Sequence, residues 1–219
     1  MDIWRWVNRA KRDLERSGHD RLAQLIDDLP TLVCDDEHAR VEAVVPEALA
    51  LARAARNPWL EVFVRHWALQ SRVLHRYEAR EHLAEAVSLL EFANREQTRQ
   101  CPQSVCVTQD LTSCYANTDG PGYVQERLEV AAETLARIDP SWPCYECISS
   151  EYASALSDDE RHEEVLAWLQ GQIDRAVEAG VERVSRFEEK RAMSLVALGR
   201  AAEAWAIMED YEVRSTEGA

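Results

Sequence analysis

The chain repeats itself, and that repetition limits its possible folds more than any other feature. Pro102, Cys106, Val107, Asp110, Leu111 and Ser113 return 41 residues later as Pro143, Cys147, Ile148, Glu151, Tyr152 and Ser154. A fainter copy lies 44 residues upstream, where Pro58, Val62, Phe63 and Trp67 take the places of Pro102, Cys106, Val107 and Leu111. A unit of about 40 residues that reads as two helices cannot bury its apolar face alone and must stack on its neighbours. The expected product is a pile of helical hairpins with an extended binding surface, rather than a globule around one enclosed pocket.

Periodicity supports an all-α chain. Ala79, Leu83, Ala86, Val87, Leu90 and Ala93 recur at three-four spacing, as do Val124, Leu128, Ala131, Ala132, Leu135 and Ile138, and then Val165, Leu169, Ile173 and Ala176. These are the second helices of their hairpins. The first helices are expected to begin at Pro58, Pro102 and Pro143, because a first-turn N–H has no helical partner to lose, and Asn57 is placed to cap one of them. Turn chemistry falls at residues 117–122, at Ser157-Asp158-Asp159 and at Gly199-Arg200. Before residue 57 the sequence predicts helices over about 2–17, 20–28 and 36–55, the last kinked or restarted at Pro46. The stretch after Tyr211 lacks apolar periodicity and is expected to fray. Trp4 and Trp6 are expected on opposite sides of the first helix, one of them free to seal an end or meet a partner.

The segment from Arg76-Tyr77-Glu78-Ala79 through Ala86 resembles the turn and second helix of a tetratricopeptide repeat. Leu198-Gly199-Arg200 followed by Ala204 resembles it more fully, with Met208 and Tyr211 at the following packing positions and Ala192 and Leu195 in the preceding helix. The repeats are similar to the long tetratricopeptide units, about 41 residues each, of bacterial regulators and kinesin light chains. The resemblance implies a right-handed superhelical solenoid of antiparallel helix pairs, about 11 helices in all. Residues 1–56 would form a divergent repeat or cap, 57–214 the repeats and 215–219 a frayed tail. It also implies that a peptide or protein binds in the concave groove lined by first helices. The repeat offsets then assign two rows to that groove: Arg65, Gln109, Ser150 and Glu189, and Leu69, Ser113, Ser154 and Met193.

Charge bears on what such a groove could hold. Forty acidic against 25 basic residues give a net charge of -15, which argues against nucleic acid, whose binding requires clustered Lys and Arg, and favours a basic protein partner. The absence of an 18-residue apolar run argues against a membrane span, and Met1 to Trp6 lacks the pattern of a secretory signal, so a cytoplasmic location is expected. Two lysines among 25 basic residues hint at a GC-rich bacterial genome. Cys101, Cys106, Cys144 and Cys147 mark equivalent helix starts and include one C-x2-C spacing, which leaves a zinc site as an alternative to simple packing; Cys34 and Cys114 read as core. The six histidines form no metal-protease pair, and neither a phosphate loop nor a nucleophile elbow is present, so no catalytic residue and no cofactor are assigned. The sequence therefore points to a non-enzymatic interaction module. Its charge and size also allow an acidic inhibitor, as immunity proteins are, of a basic enzyme or toxin. A peptide- or zinc-responsive sensor, an adaptor and a chaperone are the alternatives.

Overall fold

The computed structural model describes residues 2–181 and 185–217, with 185 and 210–217 described by their backbone alone. Eleven α-helices and no strand are found among the described residues, and helices that follow one another in the chain pack together as hairpins within each unit. The chain divides into two compact units, Met1–Thr118 and Asp119–Ala219.

In the first unit, α1 (Ile3–Arg16) is capped by Asp2, whose carboxylate accepts from Arg5 N–H at 3.1 Å. It buries Ile3, Val7 and Leu14 along one stripe. Helix α2 (Asp20–Cys34) runs six residues further than its sequence pattern suggests. Pro30 removes one helical hydrogen bond, yet the buried series Leu22, Ile26, Leu29, Leu32 and Val33 continues through it. Pro46 is likewise absorbed inside α3 (His38–Ala54), where it neither ends nor restarts the helix. Helix α4 (Pro58–Leu69) starts as expected, with Pro58 in its first turn and Leu60 N–H donating to Asn57 Oδ1 at 3.3 Å. Leu60, Val62, Phe63, Val64 and Leu69 are fully buried, each contributing roughly 1.5–3 kcal/mol of burial. Both N-terminal tryptophans lean on this helix. Trp4 lies 6.2 Å from Trp67, while Trp6 lies 6.0 Å from Trp59 and 6.1 Å from Phe63. Two residues apart, they stand about 200° from each other around α1, as the sequence spacing requires, and both rings nevertheless reach α4.

After Leu69 the helix widens into a π-helical turn, Gln70–His75, then turns at Tyr77 (φ 58°) into α5 (Ala79–Ala93). The first helix of the next repeat starts as a 3-10 turn at Pro102–Val105 and becomes α6 (Val107–Asp119).

The second unit contains α7 (Val124–Leu135), α8 (Tyr145–Asp158), α9 (His162–Glu178), α10 (Ser185–Ala197) and α11 (Ala201–Glu217). Pro143 precedes α8 by two residues. Helices α8 and α9 are held together by Tyr152 stacked on Trp168 (4.0 Å), by Trp168 N–H on Ser149 O (3.1 Å) and by Tyr145 O–H on Gln172 Oε1 (2.6 Å). Helix α10 packs on both α8 and α9 and pairs with α11. Helix α11 continues to Glu217, so residues 212–217 are helical where fraying was expected; residues 218 and 219 and the Tyr211 side chain lie outside the described residues.

Candidate functional site

The eight groove positions separate by unit. In the first unit the two rows do not form an open surface. Leu69 is completely buried and Ser113 almost so, since α6 buries Val107, Thr108, Asp110, Leu111, Thr112, Ser113 and Cys114 around nearly its whole circumference. Arg65 turns toward α5, donating to Ser88 Oγ at 3.3 Å and lying 5.6 Å from the Phe92 ring centre, and burial lowers its pKa. Gln109 is half-buried.

In the second unit Ser150 is buried and its hydroxyl has no hydrogen-bond partner, while Ser154 accepts from Lys190 Nζ at 2.6 Å. That bond places α8 and α10 side by side, as adjacent first helices of a repeat stack should be. Only Glu189 and Met193, both on α10, are exposed.

One residue along from the first row, the same offsets give His66, Asp110, Glu151 and Lys190. Within the first unit this row joins α4 to α6 through a polar contact, and within the second it sets opposite charges on α8 and α10. His66 Nδ1 lies 2.7 Å from Asp110 Oδ2, and Gln70 in the π turn donates to Asp110 Oδ1. Burial pushes the Asp110 carboxyl above its ordinary range, against the pull of His66 and Gln70 in the other direction. Burial also pulls the Lys190 ammonium down, opposed by the charges of Glu151 and Asp158 and reinforced by Arg127 and Arg186. The repeat register already contained this signal, because an offset row of His, Asp, Glu and Lys on buried helices requires partners.

Two other polar networks escaped the sequence reading. Arg72, in the π turn, grips Glu42 of α3 through Nε (2.7 Å) and Nη2 (2.8 Å) and reaches Glu85 of α5 at 3.0 Å. Arg127 is fully buried on α7, donating to Gly120 O at 3.1 Å and to Asp158. These contacts hold helices together; none sets a nucleophile beside a base.

Cys106 and Cys144 are disulfide-bonded, so they are not available as zinc thiolates. Cys101 and Cys147 are free, and burial raises both thiols, Cys101 to about 12. Among the described residues no group of three or more His, Cys, Asp or Glu is placed to hold a metal ion. Cys114 is buried as expected, but Cys34 is exposed at the end of α2.

A large exposed apolar surface lies on the last hairpin. A groove of about 670 Å3 runs between α10 and α11, floored by Ala192 and Ala204, with Glu189 also lining it. Its walls are Met193 (71% exposed), Val196 (59%), Trp205 (66%) and Met208. Met208, expected at a packing position, is uncovered.

No family model matches the chain, and no curated protein matches it. Its structure resembles the crystal structure of a Podosopora anserina protein described as a kinesin light chain with nearly identical TPR-like repeats. The TM-score is 0.65 at 14% identity, over 91% of this chain and 99% of that one. The likeness places the fold among tetratricopeptide-like helical repeats.

Proposed function

We propose that the chain is a non-catalytic protein-interaction module whose second unit receives a basic polypeptide partner. The observation that carries this reading is the uneven distribution of charge. Residues 119–219 hold 22 acidic and 10 basic side chains, net -12, whereas residues 1–118 hold 18 and 15, net -3. Solubility alone does not require such a concentration, and a field of one sign steers an oppositely charged surface toward it. Ser154, Glu189 and Met193 on α8 and α10 belong to the same acidic unit, and the repeat fold supplies the rigid scaffold on which such a surface is built.

Within this reading the molecule acts as an inhibitor, in the manner of an immunity protein, covering a basic enzyme or toxin. The test is affinity capture from the native host with the purified chain as bait. One basic protein recovered near equimolar amount, and released by raising salt, supports the inhibitor. A broad set of partners makes the chain an adaptor, and recovery of acidic proteins alone overturns the charge argument.

A further inference from the structure

We infer that the groove between α10 and α11 is a docking site for an amphipathic helix with basic flanks, supplied by the partner. The inference rests on the scaffold reading above and identifies the surface and the kind of segment it takes. The repeat register carries it. Trp205 and Met208 stand at the positions that Leu166 and Leu169 occupy in the preceding hairpin, by the offset that relates Ser150 to Glu189. There the surface is covered by a helix. Leu169 is fully buried, Leu166 packs against the cluster of Ala192, Leu195 and Ala204, and α10 lies against both α8 and α9. On the α10–α11 hairpin, among the described residues, the equivalent surface carries larger apolar groups and nothing lies on it.

The shape suits a helix as well. Glu189 to Val196 and Ala201 to Met208 each span about 10 Å of helix axis, roughly two turns at 1.5 Å per residue. The small floor residues Ala192 and Ala204 let a backbone approach, and the larger walls offer contacts to anchors at i, i+3 or i+4, and i+7.

Charge selects the occupant. A second copy of the chain would bring together two units of net -12. Two of the hairpin's cations are engaged elsewhere: Lys190 donates to Ser154, and Arg200 pairs with Glu203 at 2.7 Å and Glu163 at 3.6 Å. Exposed Glu189 and Glu209 belong to this hairpin, so Lys or Arg beside the apolar stripe of the incoming helix complements it.

The experiment uses the 219-residue chain and two fluorescent 18-residue peptides with the same apolar stripe, one flanked by Lys and the other by Glu. Fluorescence anisotropy is expected to show binding of the Lys peptide and at least tenfold weaker binding of the Glu peptide. Trp205→Ala and Met193→Glu, made separately, should each weaken the Lys peptide tenfold or more. Both side chains are mostly exposed, so the far-UV spectrum and melting temperature should stay at the unmodified values. Failure of the Lys peptide to bind, equal binding of the two peptides, or unchanged affinity in both variants overturns the assignment. So does a dimer in sedimentation that Trp205→Ala disperses, since a second copy would then cover the groove. If the host partner is still captured by the two variants, the scaffold reading survives while the groove assignment falls; if nothing basic is captured by any chain, that reading itself fails.

Discussion

Asp110→Ala tests whether the polar seam of the first unit holds α4 and α6 in register. The Asp110 side chain is wholly buried and His66 nearly so, with Gln70 as a third partner. Removing the carboxylate leaves an imidazole nitrogen and an amide buried without an acceptor, and removing one member of a buried pair costs about 3–5 kcal/mol. At about 2–4 °C per kcal/mol for a chain of this size, the melting temperature should fall by at least 6 °C. His66→Ala should cost a similar amount plus a cavity. The double variant should cost about 2 kcal/mol less than the sum, because the second truncation removes the group that the first left stranded. Urea unfolding followed by circular dichroism, with the denaturant slope unchanged, measures all three. Additivity within about 0.5 kcal/mol would refute the reasoning, since two residues joined by one buried contact cannot act independently. pH provides a second check. Burial raises the folded-state pKa of Asp110 above its unfolded value, so this group's stabilising effect is greatest below the unfolded value and declines as pH rises through the folded one. In Asp110→Asn that decline disappears, so the stability of the unmodified chain relative to this variant should fall as pH rises from about 4 upward.

Gly199 sits at φ 75° after α10 with open space where a side chain would begin, so Gly199→Ala should cost only the left-handed strain, about 1 kcal/mol by thermal melting. Asn57→Ala removes the cap of α4 and should cost about 1 kcal/mol, which Asn57→Asp should largely restore. Arg127→Met exchanges a buried guanidinium, two of whose nitrogens lack partners, for an apolar chain of similar reach. Because Asp158 is more than a third exposed and can be rehydrated, the loss should stay below about 2 kcal/mol in urea unfolding, whereas Arg127→Ala should exceed it by leaving a cavity.

What was legible in the sequence was what repeats. Pro58, the helix from Ala79 to Ala93 and the break at Gly199 all follow from proline, three-four spacing and a left-handed turn, which leave local marks. The helix-ending turns show the boundary of that legibility. Gly18, Gly180 and Gly199 adopt positive φ, but so do Asp36, Arg56, Tyr77 and Glu160, whose side chains give no such warning. Pro30 and Pro46 misled in the opposite direction, because tertiary burial along α2 and α3 outweighs one lost hydrogen bond. The π turn at Gln70–His75 had no local mark at all. It is accompanied by contacts far along the chain, Ser71 with His38 at 2.9 Å and His75 with Asp36 at 2.7 Å.

The predicted groove rows illustrate a further point about repeats. An offset alignment identifies equivalent positions correctly and is blind to which of them are covered. Leu69 and Ser113, expected in the groove, belong to helices buried on most sides, while Met193, at the same position in the last repeat, is open. Equivalence in register therefore becomes equivalence in exposure only where neighbouring hairpins are arranged alike. The same logic yields information at the α10–α11 groove. Trp205 and Met208 keep the large apolar character that Leu166 and Leu169 need for their covering helix, although they are exposed to water here. Desolvating them has a favourable free energy that grows with the apolar area removed, so this face is stabilised by any helix whose charges it tolerates. An acidic unit tolerates a basic one.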